Sequence, residues 1–312
     1  MILVTGGTGF VGKVLIRQLA ENDYPVRTLI RPSPDSPDLP ASIPVEVAVS
    51  SLTDERGLRG AMVGVDTVYH LASAEWRGAR ADLMQTDIQG SRAVVQAAIE
   101  AGVKRLFFVS HLGADRASAY PVLKAKAISE EHIRRSGIDY TILRTAILYG
   151  PDDGLTSGLA RLLSAFPYFF FMPGDGQALL QPLWVEDLVT CLTWSLEEPD
   201  TINKMVEIGG PEYLTITQII ELIMEKIDIR RTAVNVNPPY MRVMTVILES
   251  FFPGLPVSVH WLDYLAANRT CALDTVPRIF GLLPSRMSHR LNYLEGLQWR
   301  QPLVRSFMRR RR

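Results

Sequence analysis

The sequence predicts an α/β protein, a doubly wound parallel sheet with a smaller C-terminal lid or substrate region. Three observations predict it. A short apolar strand at the N-terminus runs directly into a glycine-rich turn and an apolar-periodic helix. Apolar runs then alternate with helical segments as far as residue 150, the pattern of parallel strands joined by right-handed helical crossovers. Beyond Gly150-Pro151 that rhythm gives way to irregular, proline-punctuated chain. The expected division is therefore 1–150 for the sheet domain and 151–312 for the lid, which ends in a basic tail.

The first element is Met1-Ile2-Leu3-Val4, followed by Thr5-Gly6-Gly7-Thr8-Gly9-Phe10-Val11-Gly12. A strand that opens into T-G-x-x-G-x-x-G is how a Rossmann-type domain presents backbone to a dinucleotide pyrophosphate. One glycine permits the turn, one lets main chain approach the phosphates, and one lets helix and strand pack closely. The helix from about Gly9 to Glu21 aims its N–H groups and positive dipole end at the anion. Gly6, Thr8, Gly9, Phe10, Val11 and Gly12 are the first candidate cofactor contacts.

Val26 to Ile30 reads as the second strand and Val45 to Val49 as the third, separated by a proline-punctuated loop from Arg31 to Asp38. Val65 to Leu71 is the fourth. A helix from about Asp82 to Ala101 closes at Gly102, a suitable C-cap. Leu106 to Val109 is uninterruptedly apolar, as a strand covered on both faces should be. A helix from Val122 to Ser136 closes at Gly137, and Tyr140 to Leu143 is the next strand. Past residue 151, Thr215 to Lys226 reads as a helix and Val206-Glu207-Ile208 is placed to rejoin the sheet.

Lys+Arg and Asp+Glu are both 33 among the 312 residues, so no global field argues for nucleic acid. Arg305 and Arg309 to Arg312 read as a solubilising tail, with an anionic membrane surface or a protein complex as the alternative. Cys191 and Cys271 read as free thiols of a reducing cytoplasm. A leader is not expected, because the first strand begins at Ile2, and no apolar run approaches the ~20 residues that span a bilayer. Tyr168 to Met172 and Met241 to Val257 are expected to be ordinary core, docking patches being the other reading. His, Cys and carboxylate residues show no metal-ligand spacing.

In NAD-selective folds an acid ends the second strand and binds the ribose hydroxyls. Here that place holds Arg31, whose guanidinium suits a 2′-phosphate. NADP(H) is therefore the preferred cofactor, with NAD(H) as the alternative, and Arg27 on the same strand face is expected to assist.

With these residues in place, the chain resembles the extended and atypical branch of the short-chain dehydrogenase/reductase superfamily. Val65 to Ser73 looks like its fourth-strand motif, which implies that Leu71, Ala72 and Ser73 line the cofactor. Asp87-Ile88-Gln89-Gly90-Ser91 stands where the family has asparagine-x-x-glycine-threonine. Phe108-Val109-Ser110 resembles the fifth strand, Thr141 to Arg144 with Tyr149-Gly150-Pro151 the next, and Gln181 to Asp187 the substrate-domain motif. Where the family usually has Gly-Asp-Leu, this chain has Ser50-Ser51-Leu52, so Ser51 or backbone would meet the adenine amine. Two groups look closest: NmrA-like regulators and reductases, and the NAD(P)H-binding accessory subunit of respiratory complex I.

The resemblance implies a tyrosine acid/base with a lysine one helical turn later, which holds the nicotinamide ribose and lowers the phenol's pKa. Tyr120-Pro121-Val122-Leu123-Lys124 fits that spacing, with Ser110 as the third member. Counting back from Ser136-Gly137, the lysine instead falls on Lys126 and the tyrosine position on Val122. Lys124 and Lys126 point to nearly opposite sides of a helix, so only one can face the cofactor. Lys126 is favoured. Arg144 reads as a substrate-anion contact or a structural pair, Asp187 as a first-turn acid, His70 as a satisfied core histidine and His111 as a site candidate. The expectation is an NADP(H)-dependent oxidoreductase acting on a small molecule. The rivals are a non-catalytic accessory protein of a larger complex and an NAD-dependent sugar-nucleotide epimerase or dehydratase.

Overall fold

The computed structural model of the chain describes residues 1–33, 38–40, 43–251, 258–297 and 299. The first strand sets the layering. In β1 (Ile2–Thr5), Ile2 and Val4 enter one apolar layer and Leu3 the opposite one, as the period of two in a strand requires. On it are built β2 (Val26–Ile30), β3 (Glu46–Val49), β4 (Thr67–His70), β5 (Arg105–His111) and β6 (Asp139–Thr145). Short strands follow: β7 (Leu148–Tyr149), β8 (Phe169–Pro173), β9 (Leu179–Leu180) and β10 (Leu183–Trp184). The last are β11 (Lys204–Ile208), β12 (Leu214–Thr215) and β13 (Thr232–Val236). Seven of these form one sheet in the order β11-β6-β5-β4-β1-β2-β3, and every pairing in it is parallel.

Helices cover both faces. Helix α1 (Phe10–Glu21) lies on the Ile2/Val4 side. The Leu3 side is covered by α2 (Glu55–Ala61), α3 (Gly90–Glu100) and α4 (Pro121–Arg134), through Leu58, Val94, Ala98 and Ile133. Phe107 and Phe108, adjacent on β5, are buried in opposite layers, each burial contributing about 1.5–3 kcal/mol.

The second half of the chain divides its residues between two places. Following α5 (Thr156–Ala165), helix α6 (Val185–Trp194) packs beside α1, with Leu188, Val189 and Leu192 in the same layer as Ile2 and Leu15. β11 pairs with β6 from Lys204↔Thr141 to Ile208↔Thr145, so Val206 to Ile208 do rejoin the sheet. The remainder forms a separate apolar cluster from Leu159, Leu163, Trp184, Ile219, Ile223, Met287 and Leu291. Helix α7 (Ile216–Lys226) enters it through a capping box, Thr215 accepting from the Gln218 N–H and Gln218 from the Thr215 N–H. Two helices, α8 (Pro238–Phe251) and α9 (Val259–Leu265), then lie against the segment that follows β4.

Two expectations change. The helix expected over 82–101 is α-helical only from Gly90; Met84–Gln89 is a wider π-turn that holds Asp87 inside. The two apolar stretches expected to be core are partly surface. Tyr240, Val243, Met244 and Ile247 of α8 are exposed, as are Tyr168, Phe169 and Phe171. Residues 252–257 and the arginine tail, Arg305 and Arg309 to Arg312, lie outside the described residues. Among the described residues no helix is long and apolar enough to cross a membrane.

Candidate functional site

The glycine turn is shaped by lack of room. Gly6 has φ +77°, and a methyl group there would stand 2.7 Å from the Ala72 amide nitrogen. One on Gly12 would stand 2.2 Å from the Gly6 carbonyl oxygen and 2.7 Å from Gly7 Cα. Both are inside van der Waals contact, so only glycine lets β1, the β4 exit and α1 converge. Gly9 caps α1 without a side-chain acceptor, so the cap residue itself leaves the first-turn N–H groups open to another acceptor.

A cleft of about 870 Å³ runs from this turn across the carboxyl ends of the strands. Gly6, Thr8, Gly9, Phe10, Val11, Gly12, Arg31, Leu52, Leu71, Ala72 and Ser73 all line it, and so does Tyr120. Ser51 is not among the lining residues; its hydroxyl bonds Thr53, while Ser50 and Leu52 face the cleft. Arg27 does not assist Arg31. It donates to the carbonyls of Ala61 and Val63 and pairs with Glu46. The physical reason is axial distance: four residues of strand separate the two arginines by roughly 13 Å, although they share a face.

At the other end of the cleft, over β4 and β5, the polar groups are buried. His70 bonds Thr5 through Nδ1 (2.7 Å) and Ser91 through Nε2 (2.8 Å). Burial, with the Lys126 charge behind it, pushes its pKa down to about 3, so it is a neutral core histidine. Asp87 accepts from the Ala74 N–H (2.9 Å) and fastens the end of β4 to the π-turn; burial pushes its carboxyl up.

Of the two lysines on α4, Lys124 is exposed and Lys126 is buried. The Lys126 ammonium lies 3.4 Å from the Val109 carbonyl and 5.3 Å from the centre of the Phe108 ring. Val122, in the tyrosine register of Lys126, lines the cleft instead of a phenol. Tyr120 is the N-cap residue of α4, outside the helix. Ser110 is fully buried, and its hydroxyl finds no partner among the described residues. Val109, Ser110 and Lys126 are not among the residues that line the cleft. Arg144 is a scaffold residue: it clasps buried Glu130 through two hydrogen bonds of 2.9 and 2.7 Å, which raise its pKa. Asp187 sits in the first turn of α6 and accepts from the Ser285 N–H.

His111 lines the cleft and pairs through Nε2 with Glu75 at 2.8 Å. Glu75, Trp76, Arg161, His260 and Tyr264 also line it and were not singled out from the sequence. No local pattern marks them: α9 joins β5 only in the folded chain. Among the described residues no three His, Cys, Asp or Glu side chains gather to hold a metal.

A family described as NAD(P)H-binding matches residues 6–161, which is half of the chain. The chain is 27% identical to NADH dehydrogenase [ubiquinone] 1 alpha subcomplex subunit 9, mitochondrial, of Arabidopsis thaliana, over 72% of this chain and 57% of that protein. The chain thus spans little more than half the length of that relative. It is 26% identical to sterol demethylase protein B of Methylococcus capsulatus, over 95% of this chain and 97% of that one. Among solved structures, an NADPH-dependent quinone oxidoreductase from Escherichia coli, complexed with NADPH, superposes with a TM-score of 0.74 at 22% identity. The match covers 94% of this chain and 99% of the other. At that identity the likeness concerns the fold.

Proposed function

The chain belongs to the NAD(P)H-binding family, and from that premise we propose that it is an NADP(H)-dependent oxidoreductase of a small carbonyl or hydroxyl compound. The observation that carries this reading is the continuity of the cleft. It passes from the glycine turn and Arg31 to the titratable side chains His111, Glu75 and Tyr120. A dinucleotide fits that course. Its pyrophosphate meets a turn in which a single methyl group would collide with backbone, and the α1 N-terminus offers amide donors to it. Arg31, at the carboxyl end of β2, supplies the charge that would favour a 2′-phosphate. Of the two α4 lysines, we assign Lys126 to the nicotinamide ribose: it is buried on the Val109 carbonyl, behind the residues that line the cleft, whereas Lys124 is exposed. The bound cofactor would supply hydride exchange at its nicotinamide; the protein would orient the substrate, exclude water and move a proton.

Purification without added nucleotide, denaturation and mass identification of the released dinucleotide test the reading, followed by dissociation constants for NADPH and NADH. Tighter binding of NADPH is expected; equal affinities would defeat the role of Arg31, and retained NAD would favour the epimerase alternative. Val122 in the tyrosine register and the exposed apolar side chains of α8 favour a second reading, an accessory subunit that holds the nucleotide without turning it over. Stoichiometric NADPH that no carbonyl compound oxidises would select that one.

A further inference from the structure

The sheet order fixes which end of the cleft does chemistry. Arg31, Ser50 and Leu52 stand at the β2 and β3 side, where the adenosine half lies when the pyrophosphate crosses at the β1 turn. The reactive half then lies over β4 and β5. On that side Val122 denies α4 a phenol, and Tyr120 has its spacing partner Lys124 out in solvent. A different set of proton-bearing groups converges there from three elements: Glu75 after β4, His111 at the end of β5 and Tyr264 on α9.

Their hydrogen bonding is incomplete in a telling way. The Glu75 carboxylate can only accept, so its 2.8 Å contact places the proton of His111 on Nε2. Nδ1, the other ring nitrogen, is buried and meets no partner among the described residues. The Tyr264 hydroxyl is buried without a partner as well, and so is the Ser110 hydroxyl one residue before His111. The Tyr264 ring stands edge-on to the His111 ring at 5.7 Å and has the Arg269 guanidinium over its face at 5.5 Å. Buried polar groups in folded proteins are nearly always satisfied, so two unsatisfied ones on contacting rings, His111 Nδ1 and the Tyr264 hydroxyl, leave a partner to be supplied. Ser110, next to His111 on the strand, points to the opposite face. Both rings line the cleft, so the oxygen of a ligand bound there is placed to be that partner. Burial by itself would push the Glu75 carboxyl up. The charge and hydrogen bond of His111, with Lys126 and His260 further off, outweigh burial and hold it well below the usual carboxylate range.

We propose that Glu75, His111 and Tyr264 form the proton-handling site of this protein, receiving the carbonyl or hydroxyl oxygen of the substrate in place of the phenol absent from α4. The inference rests on the oxidoreductase reading above and deepens it. In the reductive direction, with the hydride for the carbonyl carbon coming from bound NADPH and the C=O π pair moving to oxygen, the His111 imidazolium would give that oxygen its Nδ1 proton. In oxidation neutral Nδ1 takes the same proton back. Glu75 is the positioning residue that fixes the ring and its tautomer. Tyr264 donates a hydrogen bond to the oxygen throughout.

The test uses the full chain, NADPH and 4-nitrophenol, whose yellow anion mimics a developing alkoxide. NADPH binding is read by its fluorescence and the probe by its absorbance at mildly acidic pH. The expected result is that the NADPH complex holds the probe as its anion. His111→Gln and Tyr264→Phe should each weaken that binding roughly tenfold or more, as loss of a hydrogen bond to a charged group implies. NADPH affinity should stay within about twofold. Glu75→Gln should shift the pH at which the bound probe turns yellow, an effect a merely structural contact would not have. If His111→Gln does not fold, Tyr264→Phe decides, since it keeps the ring against His111 and Arg269. Variants that hold the probe as tightly as the wild type would overturn the proposal. So would an NADPH complex that binds no probe. A wild-type protein that binds no NADPH would sink the cofactor reading itself, and this site with it.

Discussion

At the pyrophosphate end of the cleft, Gly6 and Gly12 leave no space for one added methyl group. At the other end, Ser110, His111 and Tyr264 each keep a buried polar atom that finds no partner among the described residues. The first region is finished by the chain alone, with steric fit setting the backbone and no side chain needed to complete it. The second is left open by the described residues, which supply no partner for these atoms. Substitutions should therefore behave in opposite ways at the two ends: extra atoms should damage the first, and removal of a polar atom should be tolerated by the fold at the second.

The largest effect belongs to Gly12→Ala. The new methyl group would meet the Gly6 carbonyl oxygen at 2.2 Å, and that atom is backbone, which cannot swing aside. A cost of about 1–3 kcal/mol in fold stability is expected, with loss of measurable NADPH binding, read by chemical denaturation and fluorescence titration. Tight NADPH binding by this variant would break the contrast, because it would mean that the turn has slack.

Buried on the β4 side, His70 has a pH response that follows from its burial. Its folded pKa is pushed down to about 3 by burial, from the ordinary histidine value of 6.5. Below pH 6.5 the unfolded chain takes up a proton that the folded protein refuses until about pH 3, so stability falls as pH falls through that window. The slope from this group is about 1.4 kcal/mol per pH unit. Urea denaturation at a series of pH values should show a steeper loss in the wild type than in His70→Gln; equal slopes would place the titrating group elsewhere.

Arg31→Ala should change cofactor choice more than the fold. Loss of a charge-assisted contact to a 2′-phosphate is expected to weaken NADPH roughly tenfold and leave NADH nearly unchanged. Parallel weakening of both would show that Arg31 acts through the loop and not through the phosphate.

The same contrast explains what the sequence disclosed. The pyrophosphate end is local: its strand, three glycines and helix fall within residues 2–21, and steric necessity writes itself as glycine. Gly102 and Gly137 were equally legible as helix stops, and both have positive φ. The return of Val206 to Ile208 to the sheet was visible as strand alternation, apolar Val206 and Ile208 around exposed Glu207. The strand face of Arg27 was legible but its height along the strand was not, because a period of two carries no axial coordinate. The π-turn around Asp87 was hidden, since apolar spacing alone does not distinguish it from the helix it leads into. The proton-bearing end was the least legible. Its members are 36 and 153 residues apart, Glu75 to His111 and His111 to Tyr264, and each looks like an ordinary polar residue in its own segment.

The smallest predicted effect is the most discriminating. Tyr264→Phe removes one oxygen atom that is buried without a partner and keeps the ring that packs on His111 and beneath Arg269. Burying an unsatisfied hydroxyl costs on the order of 1–3 kcal/mol, so its removal should leave the fold as stable or raise stability by about 1 kcal/mol. A thermal melt of the protein without ligand reads this directly. A gain here beside a loss in Gly12→Ala would establish that the two ends are built for different ends, one for fit and one for binding a partner not yet present. A loss of about 1 kcal/mol would instead give the hydroxyl a partner within the chain, and make the Tyr264 end as self-sufficient as the glycine turn.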